Sequence, residues 1–202
     1  MRLISHMSAV LAAGSLACGA ITAPALAQDN AVRRSWGAEA REEMAQLAPL
    51  AGDWVVTELD YGADGEWHAE DATYRETTRF LLDGMALRID PAERPAKAWR
   101  LETTIQYDQN RDVFRLVALD DTWGNLDVFE GDFDADGRLV VTNLRVDTPY
   151  VGPDGSRTHF RLTFTITDSA HNTLFIESTG DAGETWRPFQ RLERSRFGSE
   201  AG

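Results

Sequence analysis

The sequence predicts an all-β protein, an up-and-down antiparallel β-barrel of about ten strands behind one short N-terminal helix. Three observations lead there. Apolar and polar residues alternate with period two from Gly52 onward. In the run 159–167, Phe160, Leu162, Phe164 and Ile166 share one face; His159, Arg161, Thr163, Thr165 and Thr167 share the other, which directs His159 to solvent. Tight-turn chemistry recurs between such runs: Asp-Gly in 61–67, 132–139 and 151–159, and a Gly-rich stretch in 179–186. Sequential hairpins favour a meander, and closing it removes the sheet's unpaired edges.

The elements follow in order. Arg2 and His6 precede an apolar run from Met7 to Ala20, and Ala25-Leu26-Ala27 precedes Gln28. This is the layout of a signal peptide (1–27) cleaved after Ala27, implying a periplasmic or secreted protein. A lipidated Cys18 lacks the upstream Leu that motif uses. Residues 28–34 form a polar, flexible N-terminus, 35–197 the barrel domain with its helix, and 198–202 a tail. Ser35 is placed to cap a helix running through Ala48, with Ala40, Met44 and Leu47 on one face and Pro49 as its stop. Strands are expected at 53–60, 66–71, 73–82, 84–90, 99–108, 113–120, 124–133, 138–147, 158–168, 172–179 and 185–195. The Pro-rich connector 91–98 is expected to loop at the barrel mouth.

Composition excludes several functions. The formal net charge is -13, and loss of Arg2 with the leader makes it one unit more negative. Such a surface repels nucleic acid and anionic membrane, and no membrane insertion is expected after cleavage. Cys18 is the only cysteine, so the mature chain has neither disulfides nor thiolate chemistry. None of Ser35, Ser156, Ser169, Ser178, Ser195 and Ser199 lies in a nucleophile-elbow motif. His68, His159 and His171 are far apart, and a haem reading needs one of them, His68 first, to face a cavity. Asp132, Asp134, Asp136 and Gly137 match the first half of a calcium loop. Its twelfth position, however, is Asn143 rather than a bidentate Glu, and the same Asp-Gly chemistry recurs elsewhere, so the segment reads as a hairpin. No metal or cofactor is expected.

Gly52-Asp53-Trp54 after a short helix resembles the lipocalin opening, and the succession 80–90, 105–123, 129–139 and 184–197 resembles an uncharacterised bacterial lipocalin-like family, a domain of unknown function. The resemblance spans roughly residues 44 to 197 and implies a calycin-type barrel without an established reaction. It also implies that a basic residue of the last strand covers Trp54, with Arg191 and Arg194 as candidates.

Barrels of this size have room for a cavity, so the reading is an exported barrel binding a small, largely apolar molecule. Trp54, Phe80, Tyr107, Trp123, Phe164 and Trp186 are the aromatics expected to line the cavity or pack its base; Glu76, Gln106 and Arg115 are the polar candidates to orient a ligand. On 73–82, Tyr74, Glu76, Thr78 and Phe80 share a face expected to point inward, which buries Glu76 and demands an Arg, a Tyr hydroxyl or water beside it. Glu76→Gln is then expected to weaken ligand binding while leaving stability unchanged or higher. Two alternatives stand beside this: a hydratase, isomerase or cyclase using Glu76 or Asp120 as general acid or base, and a filled barrel serving as a structural or partner-binding module. Oligomeric state is not legible.

Overall fold

The computed structural model describes residues 37–70, 73–91, 101–121 and 124–198. The expectations for the leader, for 28–34, Ser35, Trp123, residues 92–98 and the end of the tail fall outside them. Helix α1 (Ala38–Ala45) is followed by a 3-10 turn, Ala48–Leu50. The helix is shorter than expected. Gln46 and Leu47 donate their N–H groups to the carbonyls of Glu43 and Met44, three residues back, so the coil already tightens before Pro49, which sits inside the 3-10 turn. Ala40, Met44 and Leu47 are buried as the periodicity required.

Twelve strands follow among the described residues: β1 (Gly52–Tyr61), β2 (Trp67–Ala69), β3 (Tyr74–Leu81), β4 (Ala86–Pro91), β5 (Leu101–Asp108), β6 (Val113–Asp120), β7 (Leu126–Phe133), β8 (Leu139–Thr142), β9 (Tyr150–Val151), β10 (Arg157–Ile166), β11 (His171–Thr179) and β12 (Arg187–Arg196). Every pairing is antiparallel, and the ring closes where β12 meets β1 and β10 meets β11. Ten strands make the barrel; β2 is an extra arm on β1 and β9 on β10. The predicted up-and-down barrel with one short helix is the observed fold.

Three turns share one geometry. In 62–66, 134–138 and 152–156 the first residue's N–H donates to the fifth residue's carbonyl, at 2.8, 2.9 and 2.9 Å, and the fourth residue's N–H returns to the first carbonyl. The fourth residue is Gly65, Gly137 or Gly155, with φ of +83°, +73° and +80°. This is the three-residue hairpin loop that ends in a left-handed glycine. The carboxylate of Asp134 accepts the N–H groups of Asp136 and Arg138 and pairs with the Arg138 guanidinium, as does Asp136. The calcium-like letters therefore make a hairpin, with two of the three carboxylates held by Arg138.

Two expectations fail together. The predicted strand 138–147 stops at Thr142, because Asn143 takes over the pairing with its side chain. Its Oδ1 accepts the Phe160 N–H at 2.7 Å and its Nδ2 donates to the Thr148 carbonyl at 2.8 Å. The chain leaves the ladder through 143–148 before β9. The excursion brings Asp147 to 3.4 Å from His159 Nε2. His159, expected to face solvent, is only 6% exposed.

Candidate functional site

Inward side chains follow the even positions of β1, β3, β10, β11 and β12 and the odd positions of β4, β5, β7 and β8; on β6 the even positions point in. Beside α1 the interior is filled by Trp54, Leu87, Ile105, Phe114, Leu116 and Leu139, all close to fully buried. Trp54 anchors this floor, donating Nε1–H to the Leu50 carbonyl at 2.9 Å. The guanidinium that covers its ring belongs to Arg196, 4.2 Å from the ring centroid, not to Arg191 or Arg194. Arg191 instead lies over Trp67.

Next to the floor, the wall made by β3, β1, β12 and β11 carries polar side chains among the apolar Val56, Leu174, Ile176 and Leu192. The registers place Tyr74, Val56, Arg194 and Asn172 in one row across these four strands, with Glu76 beside Trp54 in the next. Arg194 Nε donates to Glu76 Oε1 at 2.6 Å and Nη2 to Oε2 at 3.2 Å, a bidentate pair with both residues buried. Burial opposes the Arg194 charge, but the Glu76 carboxylate, by charge and hydrogen bond, more than offsets it and raises the pKa. Among the described residues, Arg194 Nη1 and both amide atoms of Asn172 have no hydrogen-bond partner although they are buried. Native interiors rarely leave such atoms unsatisfied.

Beyond Leu192 and Leu174, a second polar group lies toward the end of the barrel opposite α1. There Gln190 Nε2 donates to Glu58 Oε1 at 2.5 Å and to Asp60 Oδ1 at 3.1 Å. Burial, then the charges of Asp60 and Glu70, push the Glu58 carboxyl up from 4.5 to about 7. The same end carries exposed apolar side chains at strand termini: Tyr61, Leu101, Leu119, Leu126, Val151 and Phe189. Tyr61, Leu119 and Leu126 stand at outward positions of β1, β6 and β7, on the outer surface of that end.

A raised carboxyl pKa has a definite consequence. Between about 4.5 and 7 the folded protein holds a proton on Glu58 that the unfolded chain releases, so this group's contribution to stability is complete below that window and is lost as pH rises through it. Glu58→Gln is expected to flatten the pH dependence of the melting temperature across this interval. An unchanged profile would place the Glu58 carboxyl in ordinary solvent.

The model of a family described as "Protein of unknown function (DUF1579)" matches residues 39–196, which covers all but the first residue of the helix and the whole barrel. The chain belongs to the DUF1579 family. No curated protein matches it.

In this DUF1579 barrel the sequence-derived candidates separate. Glu76 and Trp54 are interior and adjacent across the β1–β3 ladder; Phe80 packs against the core and Tyr107 and Phe164 are buried in it. Gln106 is exposed, and Arg115 sits on the outer face with Glu130 at 2.9 Å, so neither points into the barrel. Their strands, β5 and β6, alternate, but the apolar Ile105, Tyr107, Phe114 and Leu116 claim the inner positions. Trp186 lies in the β11–β12 connection under the outward Arg161, 4.5 Å from its guanidinium, rather than lining the interior. Glu76 and Asp120 do not form one site: both Glu76 oxygens go to Arg194, and Asp120 accepts the Asn125 N–H at 3.0 Å in the β6–β7 turn. His68 is exposed beside Asp64, and neither it, His159 nor His171 faces the interior. Sequence reasoning missed Glu58, Asn172 and Gln190. Each occupies an inward parity position on its strand, and that parity was the available signal.

Proposed function

We propose that this DUF1579 barrel binds a small, largely apolar molecule in its interior, entering from the end opposite α1, and that it does so outside the cytoplasm, as the leader-like N-terminus suggests. The observation that carries the reading is the unpaired polarity buried on the β11–β12 wall. An interior meant only to be filled gains by replacing such atoms with apolar groups. A calycin-type relationship fits Gly52-Asp53-Trp54 and its Arg196 cover; the ten strands of this barrel against the eight of lipocalins are the difference.

Native mass spectrometry of protein purified from a periplasmic extract is expected to show a small molecule travelling with the chain. Chain mass alone, together with no shift in melting temperature on adding apolar probes, would overturn the binding reading. Sequencing the mature N-terminus, expected to begin at Gln28, tests export separately.

A second reading has its own observation. Glu58, with its carboxyl near neutrality beside Asp60 and Gln190, is tuned as a general acid or base usually is. If the barrel is a hydratase, isomerase or cyclase, Glu58 is the carboxylate that moves the proton, because Glu76 is held by Arg194. Turnover lost in Glu58→Gln with binding retained would select this reading.

A further inference from the structure

Resting on the binding reading above, we infer that the ligand's polar end is an uncharged group carrying both a hydrogen-bond acceptor and an N–H or O–H donor, seated against Asn172 and the outer nitrogen of Arg194. Asn172 and Arg194 are register partners on β11 and β12, so their side chains stand side by side on the inward face. Asn172 is 3% exposed and Arg194 5%. The Arg194 fork spends Nε and Nη2 on Glu76, which leaves Nη1 as a donor. Asn172 adds one donor, Nδ2, and one acceptor, Oδ1, both without partners. Two converging donors and one acceptor are met by a carboxamide, a lactam or a protonated acid.

Charge decides against a carboxylate. Glu76 already neutralises Arg194 ion for ion, so an ionised ligand would bring an unbalanced negative charge into the interior. Asp60, farther along the same wall, would oppose it as well. The remainder of the ligand is apolar, because the next inward side chains along β11 and β12 are Leu174, Ile176 and Leu192.

The test compares decanamide, methyl decanoate and decanoate by calorimetry on the full chain and on Asn172→Leu. These share an apolar tail; the ester has no donor and decanoate is charged. Decanamide is expected to bind about tenfold more tightly than the ester, the scale of one buried hydrogen bond, and decanoate more weakly than either. Asn172→Leu is expected to erase the preference for decanamide while raising the melting temperature, because an unsatisfied amide is exchanged for an apolar group of similar size. Equal binding of all three, or decanoate binding best, would overturn the head-group assignment and leave the binding reading standing. A melting temperature lowered by Asn172→Leu would also overturn it, by showing that the amide is bonded in the folded protein. No binding by any of the three, with no molecule carried through purification, would remove both readings.

Discussion

Glu76→Gln is expected to destabilise the barrel by about 3–5 kcal/mol, the cost of stranding a buried charge. The corresponding fall in melting temperature is on the order of 10 °C for a chain of this size. The substitution keeps the shape of the side chain, so no cavity contributes. What changes is the partner of Arg194, a residue only 5% exposed with two of its three guanidinium nitrogens on the Glu76 carboxylate. A glutamine can accept one hydrogen bond from that fork, but it presents an N–H₂ to the other nitrogen and supplies no charge. The sequence alone led to the opposite expectation, that removing a costly buried carboxylate leaves stability unchanged or improves it. That expectation lacked the identity of the partner. The paired replacement Glu76→Leu with Arg194→Leu removes both charges and is expected to recover most of the loss. Denaturant melts of the single and double variants check this. A Glu76→Gln protein as stable as the parent would mean that the pair is hydrated and contributes nothing.

The contrast shows what alternation in a sequence can and cannot reveal. It reports which side of a strand a residue occupies, and on β3 it placed Tyr74, Glu76, Thr78 and Phe80 inward, where Glu76 and Thr78 are buried and Phe80 packs on the core. The recurring Asp-Gly pairs likewise marked three turns that prove geometrically alike. Alternation does not report where two inward residues from distant strands meet. Glu76 and Arg194 lie 118 positions apart and reach each other over β1, which requires the closure of β12 on β1. Gln106 and Arg115 were assigned inward by their chemistry, against the parity of Ile105 and Leu116, and the apolar neighbours prevailed. Strand 138–147 was overextended because a side-chain amide, that of Asn143, can imitate a backbone partner and release the chain from the ladder.

Gly52→Ala is expected to cost about 3 kcal/mol, through two terms that can be separated. The first is local: Gly52 has φ of +146°, a conformation that side-chain-bearing residues rarely adopt, and forcing alanine into it is worth roughly 1–3 kcal/mol. The second is tertiary. A Cβ on residue 52 would stand 1.7 Å from Arg196 Nη1, so the guanidinium must leave. That nitrogen donates to the Ala51 carbonyl at 2.8 Å, and Nη2 donates to the Ser169 carbonyl at 3.0 Å, while the group covers Trp54. Displacing it loosens the junction where β12 closes on β1 and uncovers the indole that floors the barrel. The two terms predict a specific non-additivity. In an Arg196→Ala background the clash has no object, and Gly52→Ala should cost only its backbone strain. A thermodynamic cycle over the four proteins checks this: costs that simply add would mean that the glycine serves backbone geometry alone. A double variant clearly better than additive would mean that Gly52 is required because an arginine must lie flat on it to seal the tryptophan.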